Sequence, residues 1–170
     1  GNLFFTSDDH EQLIVRTKNL YDLAIPSGNS MAAANLLRLH HYTQNSTYID
    51  RAARIMKTGA RPAAENPFGF GQLLAAIYMY VKKPVEVTVI SPGSEKKTGE
   101  LSRWLNGTFL PDGVVAASVR SQDLEALQKY PFFKGRAAEN GRETAFVCRN
   151  FACSLPITSA QELARQVSPA

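Results

Sequence analysis

The chain has 170 residues, 44 % hydrophobic and 20 % charged, with 19 basic against 15 acidic side chains and a formal charge of +4. That length and mix suit one ordinary domain or two small subdomains and exclude a disordered chain. The basic excess is scattered and forms no cluster, and no apolar run approaches the ~18 residues of a membrane span, so neither a nucleic-acid nor a membrane partner is expected.

The sequence opens on Gly1, and Leu3-Phe4-Phe5 come almost at once. Three bulky apolar residues at a true terminus would need covering, so a segment of a longer protein is expected. Residues 1 to 26 show no sustained period. Leu13-Ile14-Val15 reads as a strand or a packed extended piece, and Pro26 and Gly28 punctuate the chain beyond it. Arg16, Lys18, Asp22, Ser27, Asn29 and Ser30 crowd into this stretch ahead of the first helix. Polar groups before an apolar helix suggest a functional loop on a rigid support.

A helix is predicted over 30–42, capped by Ser27, Asn29 or Ser30. Met31, Ala32 to Ala34, Leu36, Leu37 and Leu39 make it apolar nearly all round, as in a helix buried on most sides. The second helix, 47–57, carries Ile49, Ala52, Ala53 and Met56 on one face, and Gly59 and Pro62 are expected to end it. A third is expected over 67–80, with Phe70, Leu73, Leu74, Ile77 and Val81 at helical spacing. Short connections favour antiparallel helical hairpins.

Beyond Pro84 the pattern changes. A strand is predicted over 85–91, a helix over 100–109, and a strand buried on both faces over 114–119. A short helix comes next over 123–130, then a strand over 144–148 after the Asn140-Gly141 turn signal. Thr158 to Gln161 reads as a capping box before a final helix. Strands separated by helices in this way predict βαβ crossovers and a parallel sheet. The fold class expected is α+β: a helical segment, 1–83, then a small, three-stranded, mainly parallel α/β unit, 84–170.

Three stretches together, HEQLIVRTKNLYDLAIPSGNSMAAANLLRL, FGFGQLL and TAFVCRNFACSLPIT, resemble the C-terminal part of the spermatogenesis-associated, thioredoxin-like protein family. Its long members join an N-terminal thioredoxin-like domain to an (α/α) toroid of the six-hairpin glycosidase type. The resemblance implies that helices 27–81 are the last hairpins of such a toroid. It implies that the α/β segment is a C-terminal appendage, and that the remaining hairpins and the thioredoxin-like domain lie upstream. Leu23 departs from the family pattern, which usually has Gly after Tyr-Asp. The toroid is similar to those of carbohydrate-processing enzymes, an analogy of fold.

In a toroid the loop before the 30s helix would border a central cavity. Arg16 and Lys18 are then candidates to bind a carboxylate, phosphate or sugar hydroxyl. Asp22 is the candidate general base, and Ser27 and Asn29 are candidate ligand-binding groups beside a helix N-terminus. Phe70, between Gly69 and Gly71, is a candidate stacking ring for a sugar face. The plainer reading of the same residues is capping, packing, and an Arg16–Asp22 ion pair. Asn35, inside an apolar helix, would need a hydrogen-bond partner if buried.

No metal or cofactor is expected. Adjacent His40 and His41 point about 100° apart on a helix, and His10 beside Asp8 and Asp9 reads as solvated more readily than catalytic. Ser91-Pro92-Gly93-Ser94 sits where α/β sheets bind phosphate but lacks the dinucleotide glycine spacing. Cys148 and Cys153 are too few for a disulfide framework and fit a reducing, cytoplasmic setting. They are a candidate redox pair, but would meet only if the chain turned back. Two buried small residues is the plainer reading. Arg149 would be the group to lower a thiol pKa.

Two functions are therefore expected as alternatives. One is the C-terminal piece of a protein whose toroid binds, and in full length transforms, a carbohydrate-like small molecule, with this piece inactive alone. The other is a non-catalytic scaffold that docks the upstream thioredoxin-like region, with the cysteines as thiol partners. A truncated toroid would also expose apolar faces and self-associate.

Overall fold

The computed structural model describes residues 2–9, 11, 14–93, 98–110, 113–150 and 152–167. His10, Leu13 and Ser94 lie outside these. The described residues form six α-helices and four strands, an α+β chain. The helices are α1 Gly28–Thr43, α2 Ser46–Glu65, α3 Gly71–Lys82, α4 Glu100–Gly107, α5 Ser121–Leu127 and α6 Ala160–Val167. The strands are β1 Glu86–Ser91, β2 Val115–Arg120, β3 Thr144–Arg149 and β4 Ala152–Cys153. Contacts divide the chain into two units, Gly1–His40 with Asn45–Val81, and His41–Gln44 with Lys82–Ala170.

In the first unit α1 buries a stripe, Asn29, Ser30, Ala33, Ala34 and Leu37. It is not covered on most sides as its composition predicted, because Met31 and Leu39 stay exposed. Asn35 is exposed as well, so it needs no buried partner. Neither Gly59 nor Pro62 ends α2, which runs to Glu65. Gly59 is buried, and a side chain there would run into the Leu73 methyl. The missing Cβ lets α3 approach closely, and that packing outweighs the glycine's poor helix propensity. Pro62 precedes the buried Ala63, so the last turn is held by burial despite one lost backbone bond. Asn66 then closes the helix by donating its N–H to the Pro62 carbonyl at 2.9 Å. One turn of 3₁₀ helix, Pro67–Gly69, leads into α3.

In the second unit the sheet order is β2-β1-β3-β4. β1 and β2 are parallel across α4, as the βαβ pattern predicted. β3 is antiparallel to β1, and a fourth strand is antiparallel to β3, so the sheet is mixed and not mainly parallel. The reason lies in the connection from β2. After α5 the chain winds through turns to a tight one at Asn140-Gly141, both with positive φ, where Arg142 donates to Glu139 at 2.8 Å. A connection that long can return the chain in either direction. β2 lies on the sheet edge, so Ser118 and Arg120 are exposed and the expected two-sided burial is absent.

The sheet has two differently built faces because strand side chains alternate. Val85, Val87 and Val89 of the β1 segment, with Ala145 and Val147 of β3, pack with Leu101, Leu105, Leu163 and Val167 of α4 and α6. The residues between them, Glu86, Thr88, Phe146 and Cys148, point to the opposite face. β1 is buried on both faces over its first five residues.

Leu3, Phe4, Phe5, Tyr21, Ile25, Phe68 and Tyr78 leave the first unit with much exposed apolar surface. Patches of that kind drive association. The 170-residue chain is expected to gain mean mass with concentration in sedimentation velocity, and a monomer across the whole range would contradict this.

Candidate functional site

The loop before α1 is tied to backbone through most of its polar groups. Asp22 is buried, and its two carboxylate oxygens accept from Ser27 N at 2.8 Å and from Leu73 N at 3.0 Å. It joins the start of α1 to the first turn of α3, where a carboxylate also suits the helix dipole. Ser27 caps α1: its Oγ accepts from Ser30 N at 3.1 Å and lies 2.8 Å from Ser30 Oγ. Asn29 accepts from Leu3 N at 2.7 Å and donates to the carbonyls of Leu3 and Asn19. Phe70 is fully buried, with its ring centroid 4.8 Å from that of Tyr21.

Arg16 and Lys18 are exposed and do not join this group. Both cations sit over the Phe4 ring, at 4.2 and 4.3 Å from its centroid. Arg16 donates to the Thr6 carbonyl at 2.9 Å and does not pair with Asp22. The residues predicted to line one pocket thus divide into four packed inside and two on the surface. Asp22 as general base meets a physical obstacle, since both oxygens already hold buried N–H groups.

The second unit holds a denser polar cluster on the face of the sheet opposite α4 and α6. Register aligns it: Glu86 stands opposite Cys148, and Cys148 opposite Cys153. Cys148 and Cys153 form a disulfide, and neither is free. They are therefore not the two buried small residues of the plainer reading, since they are bonded and Cys153 is exposed. The chain does turn back: Asn150 takes positive φ, a conformation Asn tolerates, and β4 folds onto β3. Cys148 is fully buried, whereas Cys153 is exposed.

Arg136 reaches this disulfide. Its Nη2 donates to Cys148 Sγ at 3.1 Å and points at Cys153 Sγ at 3.7 Å, while Nη1 donates to Thr88 Oγ1. The guanidinium also lies 5.1 Å from the centroid of the Phe132 ring. Arg136 is only 8 % exposed, and burial pushes its pKa below the ordinary arginine value, with the Glu86 charge partly opposing that shift. No carboxylate among the described residues comes within 4.0 Å of it. Glu86 instead meets His41 Nδ1 at 2.8 Å. A cavity of about 330 Å³ borders the cluster, lined among others by Gln44, Glu86, Lys134, Arg136, Phe146 and Cys153.

Arg149, the group expected to act on the thiols, does not. It comes directly after Cys148 on a strand and so points to the other face, where it donates to the Gln166 carbonyl at 2.7 Å. Arg136 gave no sign in the sequence, because it lies in an irregular stretch without period. The legible signal was in β1, where Glu86 and Thr88 alternate with valines, the mark of a strand with polar work on a second face.

Beside Ser91-Pro92-Gly93, where α/β sheets bind phosphate, a carboxylate stands instead. Glu143 accepts from Leu101 N at 2.7 Å at the start of α4, and from the hydroxyls of Ser91 at 2.9 Å and Ser102 at 2.5 Å. That helix end already has its anion. Among the described residues no group of three His, Cys, Asp or Glu side chains could hold a metal ion, and no helix is long and apolar enough to cross a membrane.

The geometry defines an α+β chain whose sheet carries a cross-strand disulfide against a buried arginine. Its homologues are proteins named spermatogenesis-associated protein 20. The chain is 26 % identical to the human protein over 157 residues, 92 % of this chain and 20 % of that protein. It is 25 % identical to the rat protein of the same name over 165 residues, 96 % of this chain and 21 % of that protein. An uncharacterized protein of Caenorhabditis elegans is 28 % identical over 165 residues, 96 % of this chain and 22 % of that protein. The chain therefore spans about a fifth of the length of these relatives. No protein-family model matches the sequence, and no solved structure matches it.

Removing the Asp22 carboxylate tests its structural role. Asp22→Ala should cost about 2–4 kcal/mol in urea unfolding, because two buried N–H groups lose their acceptor. Asp22→Asn, which keeps one acceptor oxygen, should cost less. Equal stability of all three proteins would contradict the assignment.

Proposed function

We propose that this chain is a non-catalytic scaffold within a longer protein, and that Cys148–Cys153 exchanges with the dithiol of an upstream thioredoxin-like region. One observation carries the reading: a buried guanidinium, with no carboxylate within 4.0 Å among the described residues, donates directly to the sulfur of the buried cysteine.

The chemistry stems from access and charge. A partner thiolate attacks Cys153 Sγ, the exposed sulfur. The Cys148–Cys153 bond breaks, a mixed disulfide forms on Cys153, and Cys148 leaves as thiolate facing Arg136. The second thiol of the partner then resolves the mixed disulfide. The partner ends oxidised, and this chain ends as a dithiol, with Cys153 protonated from water. A thiol that leaves toward a cation leaves faster, because its thiolate is stabilised. Such exchange suits a compartment that holds thiol reductants, so we place the protein in the cytoplasm. The helical unit would be the end of the (α/α) toroid, with its exposed apolar residues turned to upstream hairpins.

The other reading, a toroid that binds a carbohydrate-like molecule, draws less from this chain. Asp22, Ser27, Asn29 and Phe70 are buried and bonded within their own unit, leaving Arg16 and Lys18 as the accessible groups. Saccharide binding by the full-length protein, lost on Arg16→Ala, would favour it.

A thioredoxin-type protein lacking its resolving cysteine should trap a mixed disulfide with the oxidised 170-residue chain, and peptide mass mapping should place the bond on Cys153. A bond on Cys148, or no trapped species while a control disulfide protein is trapped, would overturn the proposal.

A further inference from the structure

The cavity beside Cys153 has its own chemistry. It is about 330 Å³, room for a small molecule, and the exposed cysteine of the disulfide forms part of its wall. Lys134 and Arg136 bring two cations to it against the single carboxylate of Glu86. That carboxylate is held by His41 Nδ1 at 2.8 Å, while Arg136 lacks a carboxylate within ion-pair reach among the described residues. Gln44 and Ser154 add neutral polar groups to the lining. A hollow that touches a reactive sulfur and carries surplus positive charge is matched by a molecule with a thiol at one end and a carboxylate at the other.

We infer that this cavity admits a low-molecular-weight thiol bearing a carboxylate, which reduces the Cys148–Cys153 disulfide by attack on Cys153. The inference rests on the exchange reading and adds a second class of reductant to it. The small thiolate attacks Cys153 Sγ, and Cys148 departs as thiolate toward Arg136. The carboxylate of the mixed-disulfide intermediate lies near Lys134. A second small thiolate then attacks the small molecule's own sulfur. One symmetrical small disulfide is released, and Cys153 is left as a thiol. Two small thiols are oxidised for each protein disulfide reduced, so the electrons balance.

Charge steering separates this from simple accessibility. Attraction between an anionic ligand and a cationic site raises association rates, and the effect fades with salt. The test uses the oxidised 170-residue chain and three thiols of similar size, 3-mercaptopropionate, 2-mercaptoethanol and cysteamine. Each rate is corrected for thiolate fraction and divided by that for an oxidised peptide of sequence CRNFAC, which carries the same disulfide without the cavity. On that scale 3-mercaptopropionate should exceed cysteamine by about tenfold at low ionic strength, and the gap should close in salt. Lys134→Ala should shrink the ratio of the anionic to the neutral thiol. Equal relative rates for all three thiols, with dithiothreitol and a thioredoxin-type reductant still effective, would overturn this inference and leave the exchange reading standing. A disulfide that none of these reductants opens in the folded chain would overturn both.

Discussion

A positive charge held inside a protein, with no carboxylate within 4.0 Å among the described residues, is the constraint around which the second unit is arranged. Moving an ion from water into a protein interior costs several kcal/mol even after relaxation. Arg136 meets that cost with neutral contacts: a threonine hydroxyl, two sulfurs and the Phe132 ring. These are weaker than a carboxylate. Reduction of the disulfide changes the balance, because it places a thiolate where the guanidinium already points. The cation is buried in both states, so the new desolvation cost falls on the sulfur alone. At an effective dielectric of about 20, opposite unit charges ~4 Å apart attract by roughly 4 kcal/mol. On the exchange reading proposed above, this attraction works against the desolvation cost of the sulfur and favours departure of Cys148 as thiolate.

Strand register makes this possible. Glu86, Cys148 and Cys153 lie on neighbouring strands at matched positions. Thr88 is two residues along β1 on the same face, and Arg136 spans from Thr88 to Cys148. The opposite face is filled by valines and by the leucines of α4 and α6, which fixes the register, since a slip of one residue would turn every side chain over. The hydrophobic core on one side thus sets the geometry of the polar cluster on the other. The segment after β4 continues along β3, where Ala145 and Ile157 exchange both backbone bonds at 2.7 and 2.9 Å. Ile157 is fully buried, which anchors the strap beyond the disulfide.

Much of the fold was legible from local pattern. The β-branched run at 85–91, the apolar spacing of 101, 104 and 105, and the Asn140-Gly141 turn each pointed to the element that forms. Errors arose where a distant contact decides. Gly59 reads as a stop, but it is a contact point for Leu73 of another helix. β3 runs antiparallel because of the path of its connection, which length alone does not encode. The crowded loop at 16–29 looked like a binding site because buried caps and ligand-binding groups draw on the same residue types. Only their partners separate the two roles: for Asp22 and Asn29 these are backbone groups of nearby and distant segments. The cysteine pair was visible, but the turn at Asn150 that joins it shows only in the structure, and Arg136 comes from an irregular stretch and reaches the sulfurs through tertiary structure alone.

The central claim is that the Arg136 charge awaits a thiolate at Cys148. It is tested most directly by following ultraviolet thiolate absorbance against pH in Cys153→Ser, which leaves Cys148 as the single thiol. The account predicts a Cys148 pKa clearly below the unperturbed value of about 8.5, rising when Arg136→Gln is added. A thiol that titrates at or above that value, or that ignores the loss of the guanidinium, would contradict it.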